Sequence, residues 1–220
     1  VKPVGDSIKS GKPAVGFIEN IGERGPIGMK PNQTVAAYNP ATGERTWYVD
    51  LSGTTNAGNF VSAGDIVFQA VGTDFYGLDA RTGKQVWRFN TVPGPGEFGH
   101  ETWEGGSWKY TGHTNVWAPM SLDERRGLVY LPVSTPSNDY FGGRRPGANL
   151  FGESIVCLDA ATGRRRWHFQ IVHHGLWDYD PASAPNLVSM PVDGRRVAAL
   201  PQLPQQGLVF VFDRATGKPI

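Results

Sequence analysis

Short apolar runs alternate with polar turns along this chain, and one turn keeps returning. AYNPATGERTW (residues 37–47), GLDARTGKQVW (77–87) and CLDAATGRRRW (157–167) share it, and VFDRATGKPI at the C-terminal end begins a fourth copy. Each copy has the parts of a β-hairpin: an apolar strand, an Asx residue that opens the turn, a Thr-Gly pair able to take positive φ, and a strand bearing Trp. The apolar runs DIVFQAV (65–71) and GLVYLPV (127–133) add strands ahead of the second and third copies, which gives four strands per unit. The glycines Gly43, Gly83, Gly163 and Gly217 fall 40, 80 and 54 positions apart, a period of one propeller blade with insertions. The pattern predicts an all-β fold of four-stranded antiparallel blades. Residues 33–49 supply only the last two strands of a blade and the chain stops inside a turn, so roughly three to four blades are expected. Trp47, Trp87 and Trp167 are expected to fill the space between blades.

Composition agrees and removes alternatives. With 29 Gly and 17 Pro in 220 residues, long helices are disfavoured. A formal net charge of +1 names no nucleic-acid partner. No apolar run is long enough to span a membrane, and the N-terminal residues do not read as a signal peptide. Cys157 is the single cysteine, which excludes an internal disulfide and a cysteine zinc cluster.

Candidate chemistry concentrates where the repeat is interrupted. PGPGEFGHETWEGGSWKYTGHTNVWAP (93–119) places His100, Trp103, Trp108, His113 and Trp117 in a long ordered loop, and FQIVHHGLWDYDPASAP (169–185) places His173, His174, Trp177, Asp178 and Asp180 after the third repeat. Adjacent histidines on an extended chain point to opposite faces, so His173, His174 and Asp178 make a poor metal set. Asp178 beside Trp177 reads equally as a proton-accepting base and as a turn cap. Neither Ser154 nor Cys157 sits in a nucleophile elbow, and no phosphate-binding glycine loop precedes a helix.

The TGxxxW repeats together with NVWAP (115–119), LVYLPVSTPSNDYFGG (128–143) and WHFQIVHHGLWDYD (167–180) resemble the quinoprotein dehydrogenases, the PQQ-dependent eight-bladed propeller enzymes, on the side of the membrane glucose and polyol dehydrogenases. The resemblance runs from about residue 31 onward and implies a single partial propeller domain over 1–220, about half of the ring. Within it, 1–30 form an irregular lead-in, 31–92 resemble C-terminal blades and 93–220 resemble N-terminal and central blades with the active-site loops. It implies oxidation of an alcohol, sugar or polyol by hydride transfer to pyrroloquinoline quinone, beside calcium or magnesium, with Asp178 as general base. Trp117 would be the stacking platform, Asp74, Asn56, Gln205, His174 and Trp177 would line the cofactor, and Thr135 or Asn138 would contribute a metal ligand. Gln205 stands where relatives carry a lysine or arginine, so a cation toward the quinone oxygens is missing. The implied partners are a small alcohol or sugar, a quinone or cytochrome electron acceptor, and further copies or blades that close the ring. The implied location is the periplasm, with longer relatives attached to the inner membrane. A noncatalytic propeller scaffold that binds proteins is the competing reading.

Overall fold

The computed structural model describes residues 32–53 and 57–220. They form four antiparallel sheets in chain order. The first pairs β1 (Asn32–Tyr38) with β2 (Arg45–Ser52). The second is β3 (Phe60–Val61), β4 (Ile66–Val71), β5 (Asp74–Asp79) and β6 (Gln85–Asn90). The third is β7 (Ser121–Asp123), β8 (Leu128–Val133), β9 (Ser154–Asp159) and β10 (Arg165–Gln170). The fourth holds β11 (Val188–Val192), β12 (Arg195–Gln202) and β13 (Phe210–Asp213). The expected four-stranded unit is present in full twice, with the two-stranded start and incomplete end that the repeat positions predict. The 1–30 segment lies outside the described residues.

The recurring turn is held by its Asx side chain. Asp79 Oδ1 accepts the Arg81 amide (3.0 Å), the Thr82 amide (2.8 Å) and the Thr82 hydroxyl (2.8 Å). Asp159 and Asp213 repeat the arrangement, and Asn39 makes the shorter version with Ala41. The following glycine closes the turn at positive φ, +73° at Gly83 and +69° at Gly163, a conformation that costs a residue bearing Cβ.

That glycine also makes the blades dock. A Cβ on Gly83 would meet the Trp47 ring at 2.5 Å, one on Gly163 the Trp87 ring at 2.6 Å, and one on Gly217 the Trp167 ring at 2.5 Å. Each indole N–H then donates to a carbonyl in that same next turn: Trp47 to Ala80 (2.9 Å), Trp87 to Ala160 (3.1 Å) and Trp167 to Arg214 (3.2 Å). The blade tryptophans are thus packing residues, as the repeat predicts.

Strand alternation explains why the sheets stack. In β8 and β9, Val129, Leu131, Val156 and Leu158 join the core with Phe68, Phe75 and Trp87 of the preceding sheet, while Tyr130, Ile155 and Cys157 join Trp167, Leu200 and Phe212 on the following side. Both faces of the third sheet are therefore covered, and all six residues of β8 are buried. A two-residue period with apolar residues on both faces is what a blade between two blades requires.

Candidate cofactor and catalytic site

The loops after β6, β8 and β10 meet at the end of the third blade. The first contains two short 3-10 turns (His100–Thr102 and Glu104–Lys109), then runs through Gly112, which bridges to Ser137, and on to Trp117. The second leaves β8 at buried Ser134 and Thr135. The third carries His174 to Asp180, with His174 (φ +52°) and Asp178 (φ +56°) both in the left-handed region.

Three buried groups hold this third loop. Arg145, fully buried, donates through one terminal nitrogen to the Asn138 carbonyl (2.9 Å) and the Gly175 carbonyl (2.5 Å), and through the other to Asn149 Oδ1 (2.9 Å). Glu153, also fully buried, accepts the Tyr179 amide and the Thr135 hydroxyl on Oε1, each at 3.1 Å. Its Oε2 has no hydrogen-bond partner among the described residues and lies where a Cβ on Gly175 would be. Asp180 receives the Thr135 amide on Oδ1 (2.6 Å) and the Trp117 indole N–H on Oδ2 (2.7 Å), and its carbonyl accepts the Gln205 amide (2.9 Å).

The electrostatics follow from burial of carboxylates near one another. Burial, supported by Asp180 and opposed by the Thr135 and Tyr179 hydrogen bonds, pushes the Glu153 carboxyl up to about 7. Asp139 rises to about 6 through burial and the neighbouring Asp178 and Asp180, against Arg145. Asp178 is raised by burial and by Asp180, against the hydrogen bond that the Tyr140 hydroxyl donates to its Oδ2 (3.1 Å). Desolvation therefore exceeds stabilisation by donors at all three.

The structure brings Trp117, Thr135, His174 and Asp178 to this one end of the blade stack, and Gln205 joins them through its backbone. His174 donates from Nδ1 to the Gly147 carbonyl (2.8 Å) and packs its other ring nitrogen over Gly142. Trp177 is 69% exposed and forms no wall within the described residues. Asp74 is engaged inside its own blade, accepting the Tyr76 hydroxyl at 3.1 Å and lying 3.7 Å from Arg88. Asn56 lies outside the described residues. Thr135 and Asn138 are close by, but Thr135 turns its hydroxyl to Glu153 and Asn138 gives its carbonyl to Arg145. Among the described residues no group of three or more His, Cys, Asp or Glu side chains is placed to hold a metal ion, so these residues do not by themselves make a calcium or magnesium site.

A planar aromatic cofactor fits better. Trp117 is 38% exposed, whereas Trp87 and Trp167 are 7% and 6% exposed, so its ring is anchored at the N–H edge yet remains partly open to solvent. Sequence reasoning gave no role to Glu153, Arg145, Asp139 or Tyr140. A lone acidic residue directly before the apolar run SIVCLD was the available signal for Glu153.

Stacked four-stranded antiparallel blades, with a partly exposed tryptophan beside a carboxylate-bearing loop, make this a β-propeller architecture. The chain belongs to the PQQ family of the glucose/ethanol/alcohol dehydrogenase beta-propeller domain, whose family model matches residues 57–220. It is 40% identical over 146 residues to the glycerol dehydrogenase large subunit of Gluconobacter oxydans (strain 621H), covering 66% of this chain and 19% of that one. It is 32% identical over 206 residues to the quinohemoprotein alcohol dehydrogenase ADH-IIG of Pseudomonas putida, covering 83% of this chain and 29% of that one. The solved structure of ADHIIG from Pseudomonas putida HK5 superimposes with a TM-score of 0.76 at 30% identity, over 84% of this chain and 31% of that one. The chain thus spans about a fifth to a third of the length of these relatives.

Proposed function

We propose that these residues are part of a PQQ-dependent dehydrogenase that oxidises the hydroxyl of an alcohol, sugar or polyol, with Trp117 as the cofactor platform and Asp178 as the general base. The observation that carries this reading is Trp117 itself: a partly exposed indole locked by the buried carboxylate of Asp180, two positions after Asp178 in the same loop. When bound, PQQ supplies the quinone that accepts the two electrons and the hydrogen of the carbinol C–H bond. Asp178 takes the hydroxyl proton. Tyr140 occupies Oδ2 and orients the carboxylate, which leaves Oδ1 to meet the substrate hydroxyl. The raised pKa makes the ionised carboxylate a stronger base than an ordinary aspartate, so turnover should increase with pH through a value above the usual aspartate range.

His174 shapes the loop from its hydrogen bond to Gly147, and Gln205, tied by its amide to the Asp180 carbonyl, would hold the place that the family resemblance gives to a cation beside the cofactor. Electrons would pass to a quinone or cytochrome acceptor, and the setting would be the periplasm.

Asp178→Asn keeps shape and removes the base. In the full-length protein loaded with PQQ, dye-linked alcohol oxidation should fall by on the order of 10²–10⁴ while quenching of tryptophan fluorescence by PQQ is retained. Turnover equal to that of the unmodified protein would remove Asp178 from the mechanism.

A further inference from the structure

Five indole N–H groups among the described residues make hydrogen bonds, and Trp117 is unlike the other four. Trp47, Trp87, Trp103 and Trp167 donate to main-chain carbonyls, as structural tryptophans do when they dock one element on another. Trp117 donates to a carboxylate, and that carboxylate is buried. Charge-assisted hydrogen bonds of this kind are about twice as strong as neutral ones, so the direction of the Trp117 ring is set more firmly than its exposure suggests.

The geometry of the acceptor is specific. Asp180 uses both oxygens at once, Oδ1 for the Thr135 amide at 2.6 Å and Oδ2 for the Trp117 indole at 2.7 Å. Both partners are donors only. An amide in place of the carboxylate has one acceptor oxygen, and either orientation turns its NH₂ against a donor. Only a carboxylate satisfies the two sides, and its own main chain continues them: the Asp180 carbonyl receives the Gln205 amide from the next blade. One residue thereby ties the end of β8, the loop carrying Trp117, the loop carrying Asp178 and the segment carrying Gln205.

We propose that Asp180 is a positioning residue that fixes the plane of the Trp117 ring against the end of β8 and the Asp178 loop. It does not take part in proton transfer. The inference rests on the reading of Trp117 as the cofactor platform only for its consequence, which is tighter PQQ binding; the hydrogen bond itself can be tested without cofactor.

The experiment uses the full chain labelled with ¹⁵N at tryptophan, the Trp117 indole resonance being identified by its loss in Trp117→Phe. In the unmodified protein that indole proton should exchange with solvent far more slowly than the one of Trp177, which is 69% exposed; equally fast exchange would overturn the proposal without any variant at Asp180. In Asp180→Asn the Trp117 resonance should move and its exchange accelerate, while Asp178→Asn should leave both unchanged. PQQ, titrated by tryptophan quenching, should then bind Asp180→Asn roughly tenfold more weakly. An unmoved resonance in Asp180→Asn overturns the proposal, and so does a moved resonance with unaltered PQQ affinity. If PQQ affinity survives Trp117→Ala, the platform reading fails instead, and the indole measurements still decide what Asp180 holds.

Discussion

At the scale of single residues, Glu153 is a carboxyl group taken out of water. It is fully buried, one oxygen has no hydrogen-bond partner among the described residues, and burial pushes its carboxyl up to about 7 from an ordinary 4.5. Between those two values the folded protein holds a proton that the unfolded chain releases, so the stability contributed by Glu153 is complete below about pH 4.5 and is lost as pH rises through about 7. Glu153→Gln stays neutral and should not share that loss. Relative to the unmodified protein, the variant should gain stability between pH 4.5 and pH 7.5, by on the order of 2–3 kcal/mol. Urea midpoints at the two pH values measure it, and parallel pH profiles for the two proteins would show that Glu153 does not titrate there. The same carboxylate explains Gly175. An added Cβ would lie 1.5 Å from Glu153 Oε2, so Gly175→Ala should destabilise by about 1–3 kcal/mol or more and displace the loop that carries Asp178. Trp117 and Asp178 entered as candidates through family motifs in the sequence. The role of Asp180 was not, because its partners stand 45 and 63 positions away along the chain and no local pattern announces them.

At the scale of elements, the hairpin turn does two jobs that can be separated. Gly43 and Gly163 take nearly the same left-handed φ, +72° and +69°. Among the described residues nothing lies within 4 Å of a Cβ on Gly43, while one on Gly163 would strike Trp87 at 2.6 Å. Gly43→Ala should therefore cost only the backbone term, about 1–2 kcal/mol, and Gly163→Ala should add an overpacking term of about 1–3 kcal/mol. Thermal unfolding of the two variants gives the comparison, and equal losses would mean that the Trp ring moves aside freely. The turns were readable in advance because every part of them is local: the Asx acceptor, the Thr hydroxyl and the glycine lie within five residues of one another in each copy. β11 and β12 were not, since no TGxxxW signature marks either of them, and their places follow from pairing with each other and, through β12, with β13. The same limit applies to β3 and β7, which are two and three residues long and exist because a longer neighbour pairs with them.

At the scale of the whole molecule, the question is whether the blades stand or fall together. Each seam is a nearest-neighbour contact, as in any repeat architecture, so the seams are separable in principle. The third blade argues for coupling: alternate residues of β8 and β9 serve the seam with the preceding blade and the seam with the following one, and no residue of either strand can be released from one side while the sheet stays intact on the other. Cys157 reports on this directly. It is fully buried on the Trp167 side, and burial pushes its thiol up to about 12, so alkylation requires the sheet to open. Trp167→Ala removes the ring beside it and should accelerate labelling through loss of about 3–5 kcal/mol of packing. Trp87→Ala empties the opposite seam, whose core cluster is separate from the one that holds Cys157. If the blades are coupled through the shared sheet, Trp87→Ala should accelerate labelling of Cys157 as well, in proportion to its loss of stability in urea. Labelling unchanged in Trp87→Ala and raised in Trp167→Ala would show that the seams open one at a time, and the blade stack would then be a chain of independent contacts rather than one cooperative unit.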